Sequence, residues 1–148
     1  MVGYKRILVA VDGSENASRA ANVAVTLAKS LGSELIALQA IPTPPYSVSH
    51  AGEVSVDLQP YFDTARQQAK TLLDGIVKKA KNEGVNASEL IIDDVVSVVD
   101  AIVNAAATRD VDLIVIGNRG RGGFTKLLLG SVSSGVTNHA HCSVLVVR

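Results

Sequence analysis

Tryptophan is absent, methionine occurs once and only 3% of the residues are aromatic, so any core this chain builds is aliphatic. The single cysteine, Cys142, excludes an internal disulfide. Net charge is missing as well: 14 Lys and Arg balance 14 Asp and Glu. No basic stripe is present to neutralise a phosphate backbone, which argues against DNA or RNA binding as the main task. No apolar run approaches the roughly 18 residues that a membrane helix needs. The stretch Lys5-Arg6-Ile7-Leu8-Val9-Ala10-Val11 has the order of a leader, basic and then apolar. Asp12 cuts it short of the roughly 7–15 apolar residues of a signal peptide. These absences lead us to expect a soluble, cytoplasmic protein. What remains is 148 residues, 47% hydrophobic and 19% charged. That is enough for one domain, 1–148, to bury a core unaided, and too apolar for disorder.

The apolar residues fall into alternating patterns. Ile7 to Val11 is a continuous aliphatic run, as in a strand buried on both faces. Asp12-Gly13-Ser14 breaks it, with Ser14 placed to cap a helix and Glu15 in its first turn. Ala17, Ala20, Ala21, Ala24, Ala28 and Leu31 follow at helical spacing, and Gly32 ends the run. A second buried strand begins at Leu35 and runs to about Ile41. Pro42-Thr43-Pro44-Pro45 then opens a polar loop to about Asp57, long enough to be functional or mobile. Leu58 to Ala80 carries a longer helix, Glu89 to Ile92 a third strand, and Asp93-Asp94 a solvated turn. Ser97-Val98-Val99-Asp100 fits a capping box before a helix with Ile102, Val103 and Ala106 on its core side. Asp112 to Gly117 is a fourth buried strand. A glycine-rich loop runs to Gly130, a short helix covers about Ser131 to His139, and Ser143 to Val147 is a last strand. Four β-α units and a final β predict an α/β domain, a doubly wound parallel sheet with helices on both faces.

In such a sheet, ligands sit beyond the carboxyl ends of the strands where the strand order reverses. Two of these ends stand out: Asp12-Gly13-Ser14, and Gly117-Asn118-Arg119-Gly120 with Gly130-Ser131-Val132-Ser133 opening the next helix. Their physical reading is an anion cradle. Gly117 and Gly120 can take positive φ and admit a ligand close to the backbone. The first N–H groups of the helix after Gly130, at Ser131, Val132 and Ser133, lack intrahelical partners and, with the nearby hydroxyls, suit phosphate. Arg119, Arg121 and Lys126 add positive charge. Asp12 suits a ribose hydroxyl or, through water, a divalent cation accompanying phosphates. Other nucleotide sites fit less well. There is no G-x-x-x-x-G-K-[ST], and the first turn is not G-x-G-x-x-G. A flavodoxin would need a different first loop and flanking aromatics. A phosphoacceptor receiver would need an acidic cluster after strand one and a Lys ending strand five.

The spacing Gly117-x2-Gly120-x9-Gly130-Ser131 lies after Asp112-Leu113-Ile114-Val115-Ile116 and before Cys142-Ser143-Val144-Leu145-Val146-Val147. It resembles the universal stress protein family, and Val9-Ala10-Val11-Asp12-Gly13-Ser14 resembles that family's opening segment. The resemblance covers essentially the whole chain, and the G-2x-G-9x-G-[ST] pattern marks the ATP-binding subgroup. It implies a Rossmann-like five-stranded sheet of order 3-2-1-4-5, with the nucleotide between strands one and four. Asp12 would lie near adenine and ribose, with Ala10 and Val11 beside it, and Ala40 would line the adenine pocket through its backbone. Ile116, Gly117, Arg119 and Gly120 would surround ribose and phosphates, and Gly130, Ser131, Val132 and Ser133 would hold the phosphates. Mg²⁺ or Mn²⁺ would accompany ATP. Ser143 stands where the family commonly has Pro, and Ser97 where it has a capping Asp; neither touches the proposed site.

Other features read as structural. His139, His141 and Cys142 lack zinc-ligand spacing. Tyr61 and Phe62 are read as core or interface residues. The apolar last strand, an edge in the expected order, is an aggregation hazard unless covered, and pairing of Ser143–Val147 with the same strand of a second subunit predicts a homodimer. The favoured function is a nucleotide-dependent regulatory stress protein, with ATP ordering the 42–57 and 118–129 loops. The competing reading is an enzyme: a slow ATPase, with Asp12 or His50 as base, or a nucleotidyl-transferring relative. No nucleophile–base pair is visible. A third is a sensor of AMP or cyclic AMP.

Overall fold

The computed structural model describes residues 3–44, 57–119 and 130–148. Among the described residues nine elements alternate. They are β1 (Arg6–Ala10), α1 (Glu15–Leu31), β2 (Glu34–Pro42), α2 (Gln59–Asn82), β3 (Ala87–Val95), α3 (Val98–Thr108), β4 (Leu113–Gly117), α4 (Ser131–His139) and β5 (Ser143–Val147). The strands form one parallel sheet in the order β3-β2-β1-β4-β5, as expected.

The uninterrupted aliphatic runs are explained by burial on both sides. Along β1, Ile7 and Val9 join a core under α1 and α2, while Leu8 and Ala10 join a second core under α3 and α4. α1 meets the sheet through Ala17, Ala20, Ala21, Ala24, Val25 and Ala28, whose short side chains allow a close approach. Leu31, expected on that face, is 51% exposed, and Val25 is buried instead. The helix stops one residue later, where Gly32 takes the left-handed conformation at φ 67° and its N–H donates to the Ala28 carbonyl.

The third strand is longer than the apolar run Glu89–Ile92 suggested, and Asp93-Asp94 belongs to it rather than to a turn. Two acids are tolerated there because β3 is an edge. Asp93 pairs with Arg66 of α2, and Asp94 adopts φ 55° and accepts from the Thr43 hydroxyl at 2.7 Å. The β2–β3 pair runs past the end of β1: Leu38 faces Ala10, but pairing continues through Ala40–Ile92 to Pro42–Val95, with a bulge between. This overhang forms one wall above the carboxyl end of β1. α2 lies across it, packing Phe62 and Ala69 onto Ile41.

Candidate functional site

β1 has parallel neighbours on both sides, β2 and β4, and the chain leaves in opposite directions along the sheet from it. A crevice therefore opens between the loops leaving β1 and β4. Just past β1, Val11 N–H still donates to the Leu38 carbonyl at 2.9 Å. The chain then turns sharply. Gly13 sits at φ 85°, Ser14 N–H donates to Asp12 Oδ1 at 2.9 Å, and Ser14 Oγ accepts from Ala17 N–H at 3.2 Å to cap α1. This turn fixes Asp12 at the mouth of the crevice.

The opposite wall is held by Asn118, which is 6% exposed. Its N–H donates to the Val147 carbonyl at 2.8 Å. Its own carbonyl accepts from Gly130 N–H at 2.6 Å and from Ser133 Oγ at 2.8 Å. The two ends of the glycine-rich loop are thereby tied together at the start of α4. Gly130 is the N-cap and brings no side chain to the first-turn N–H groups, so Ser131, Val132 and Ser133 present them to the crevice with the positive end of the helix dipole.

The crevice is a cleft of about 750 Å³, in the usual range for small-molecule sites. Every site residue named from the sequence lines it except Gly120, which lies outside the described residues. On one side are Ala10, Val11, Asp12 and Ala40; on the other are Ile116, Gly117, Arg119, Gly130, Ser131, Val132 and Ser133. Arg121, Lys126 and His50, and most of the two loops expected to respond to ATP, also lie outside the described residues.

Two details differ from expectation. Gly117 is not at positive φ. Glycine is needed there because a Cβ would stand 2.9 Å from the backbone C and O of Asn16, where α1 crosses β4. The Ser133 hydroxyl is not turned to a ligand: it is 2% exposed and bonds to the Asn118 and Gly130 carbonyls. Ser133 can serve an anion through its backbone N–H, while its side chain braces the loop.

Sequence reasoning missed the α2 wall. Tyr61, Ala65, Gln68 and Leu72 line the cleft from above. Tyr61 also donates to the Pro42 carbonyl at 3.3 Å and meets Phe62 edge-to-face at 5.1 Å. The only signal was the i, i+4, i+7, i+11 spacing of these residues, which fits a core stripe equally well. Gln39 was also missed. Away from the cleft, burial pushes the Cys142 thiol upward and nearby Asp112 adds to the shift, so the thiol is kept protonated. Among the described residues no cluster of three His, Cys, Asp or Glu could hold a metal by itself, and no helix is long and apolar enough to cross a membrane.

The universal stress protein family model matches residues 3–148. A universal stress protein of Methanocaldococcus jannaschii is 32% identical over 145 residues, which cover 98% of this chain and 82% of the relative. Among solved structures, UspA of Lactobacillus plantarum superposes with a TM-score of 0.86 at 27% identity, covering 100% of both chains. A universal stress protein in complex with cAMP gives 0.73 at 27% identity, covering 99% of both chains. One from Archaeoglobus fulgidus in complex with dAMP gives 0.69 at 26% identity, covering 99% of this chain and 100% of that one.

Proposed function

The chain belongs to the universal stress protein family, and on that premise we propose that it binds ATP in the cleft between β1 and β4 and acts as a nucleotide-dependent regulatory homodimer in the cytoplasm. The observation that carries this reading is the convergence, in one cleft, of an unblocked helix N-terminus, an acceptor at Asp12 and an aliphatic recess under β2. The three match the three parts of a nucleotide. Phosphates would lie at Ser131, Val132 and Ser133, the ribose at Asp12, and the base against Val11 and Ala40. Gly117, Arg119 and Gly120 would complete the phosphate side. Mg²⁺ or Mn²⁺ would be held chiefly by the phosphates, with Asp12 reaching it through water; bound there, the cation would neutralise phosphate charge.

Among the described residues the site contains a cradle but no paired nucleophile and base, and this supports a binding protein over an enzyme. Slow ATP hydrolysis is the alternative, with Asp12, which lines the cleft, as the candidate base. The cAMP and dAMP complexes of related proteins favour a second reading, a sensor of an adenine monophosphate. Dimerisation is supported by β5, an edge strand that pairs only with β4 among the described strands and leaves Leu145 38% exposed.

Isothermal titration of Mg-ATP against wild type and Gly130→Val tests the site. A Cβ at residue 130 would stand 3.0 Å from the Asn118 carbonyl oxygen and 3.2 Å from Arg119 Cα. The variant should therefore bind at least about tenfold more weakly, a loss of roughly 1.4 kcal/mol. Equal binding by both overturns the site, and AMP or cAMP binding in place of ATP selects the second reading. Light scattering at micromolar concentration should give the mass of a dimer.

A further inference from the structure

α3 and the edge strand β3 border a second, more open groove of about 590 Å³. It exists because α3 packs more on β2 than on β3, which leaves the α3 face of the edge uncovered. Strand alternation turns Leu90 and Ile92 to that face, and both are only half-buried. Val95 and Val96 continue the apolar strip, and Val96 is 99% exposed. The other face of the same edge is closed: α2 packs on it, and Glu89 and Asp93 pair with Lys70 and Arg66. Among the described strands β3 pairs only with β2. Its outer N–H and C=O groups therefore form an unpaired row along the groove.

Opposite charges mark the two ends of this groove. The strands are parallel, so α3 runs back antiparallel to β3 on its way to β4. Asp100, in the first turn of α3, therefore stands near the carboxyl end of β3, and Arg109, the C-cap, near its start. At 1.5 Å per helical residue they are about 14 Å apart. Both are exposed, and neither has an ion-pair partner among the described residues. We infer that the groove docks an extended segment of a partner protein as a further strand on β3. That segment is apolar at alternate positions, with a cationic end beside Asp100 and an anionic end beside Arg109. Main-chain bonds to β3 supply the affinity, alternate apolar side chains cover Leu90 and Ile92, and the end charges fix the register. A strand fits where a helix does not, because a helix bonds its main chain internally and would leave the row on β3 unpaired. The cleft between β1 and β4 meets α3 elsewhere, at Val98 and Ile102, so the groove keeps this role whatever the cleft binds.

The probe is a fluorescein-labelled peptide, Lys-Thr-Val-Thr-Val-Thr-Glu, titrated with the full chain and followed by fluorescence polarisation. The same peptide with its internal amides N-methylated keeps the charges and valines but cannot pair as a strand, and should bind at least about tenfold more weakly. Wild type should prefer the Lys…Glu peptide over one ending in Lys at both ends by about two- to fivefold, and Arg109→Glu should reverse that preference. Val96→Ser, at a site too exposed to disturb the fold, should weaken the parent peptide about threefold with Tm unchanged. Equal binding of the N-methylated peptide overturns the proposal, as does a charge preference that Arg109→Glu leaves as it was. No binding of the parent peptide at about 1 mM overturns it too. Light scattering that shows species larger than a dimer, lost in Val96→Ser, would give the groove to a second copy of this chain and overturn it equally.

Discussion

Gly117→Ala adds one methyl group where two backbones cross, and its cost can be worked out from the geometry. The new Cβ would lie 2.9 Å from both C and O of Asn16 and 3.0 Å from its Cβ. Asn16 belongs to the first turn of α1, so no flexible side chain can swing aside; the helix itself must lift by a few tenths of an ångström. Overpacking of this kind costs about 1–3 kcal/mol, which for a domain of this size lowers Tm by roughly 3–10 °C. The displacement falls on the turn that orients Asp12, so Mg-ATP affinity should drop as well. Two other glycines separate this cause from the usual ones. Gly75 lies within α2, and a methyl group added to it would meet nothing within 4 Å, so Gly75→Ala should stabilise by about 0.5–1 kcal/mol through helix propensity. Gly32 also has open space around it but sits at φ 67°, so Gly32→Ala should cost about 1 kcal/mol in backbone strain alone. Thermal unfolding followed by circular dichroism should rank Gly75→Ala above wild type and the other two below. If Gly117→Ala melts with wild type, the close approach of α1 to β4 is not what requires glycine there.

Three further outcomes follow from packing and charge. Leu73 is fully buried between α2 and the sheet, so Leu73→Ala should cost about 2–5 kcal/mol, read as a lower urea midpoint at unchanged slope; a midpoint near wild type would mean that α2 packs loosely. Lys29 bonds to Glu83 at 2.7 Å and holds its carboxyl below the usual range, and Lys70 does the same for Asp74. A depressed carboxyl contributes stability that is present above its unfolded pKa and lost as pH falls through the folded value. Stability should thus fall below about pH 4, and Lys29→Ala should differ from wild type at neutral pH but converge with it in acid; a constant offset would refute the pairing. Because burial raises the Cys142 thiol, its alkylation by iodoacetamide should show a rate–pH midpoint above that of an exposed cysteine peptide, and a midpoint below it would mean that Cys142 sits in an electropositive setting instead.

Much of the architecture could be read directly from the residue pattern, because parallel strands buried on both faces leave unbroken aliphatic runs. Caps such as Ser14, Ser97 and Gly32 also act locally, each bonding within a few residues. Reading failed where a residue's role is set by a distant neighbour. The acids of β3 looked like a turn because Arg66 and Thr43, which accommodate them, lie 27 and 51 positions away. Gly117 was credited with conformational freedom because nothing near it in sequence reveals that Asn16 lies against it. The α4 side of the cleft was legible because it is built from contiguous backbone after Gly130. The α2 wall was not, since a helix stripe facing a cavity is written in the same residues as one facing a core.

Asn118 has a consequence for how this protein can change over time. By accepting from Gly130 N–H and Ser133 Oγ while donating to Val147, it joins the end of β4, the start of α4 and the end of β5 at one point. Whatever is inserted between residues 119 and 130 leaves from and returns to the same anchor. The closure cost of a longer insertion grows only slowly, by about 0.6 kcal/mol for each doubling of length. Residues there can be added, removed or exchanged while the sheet and the N-terminus of α4 keep their positions. A lineage built on this scaffold could therefore diversify what it presents beside the cleft without rebuilding the domain beneath it.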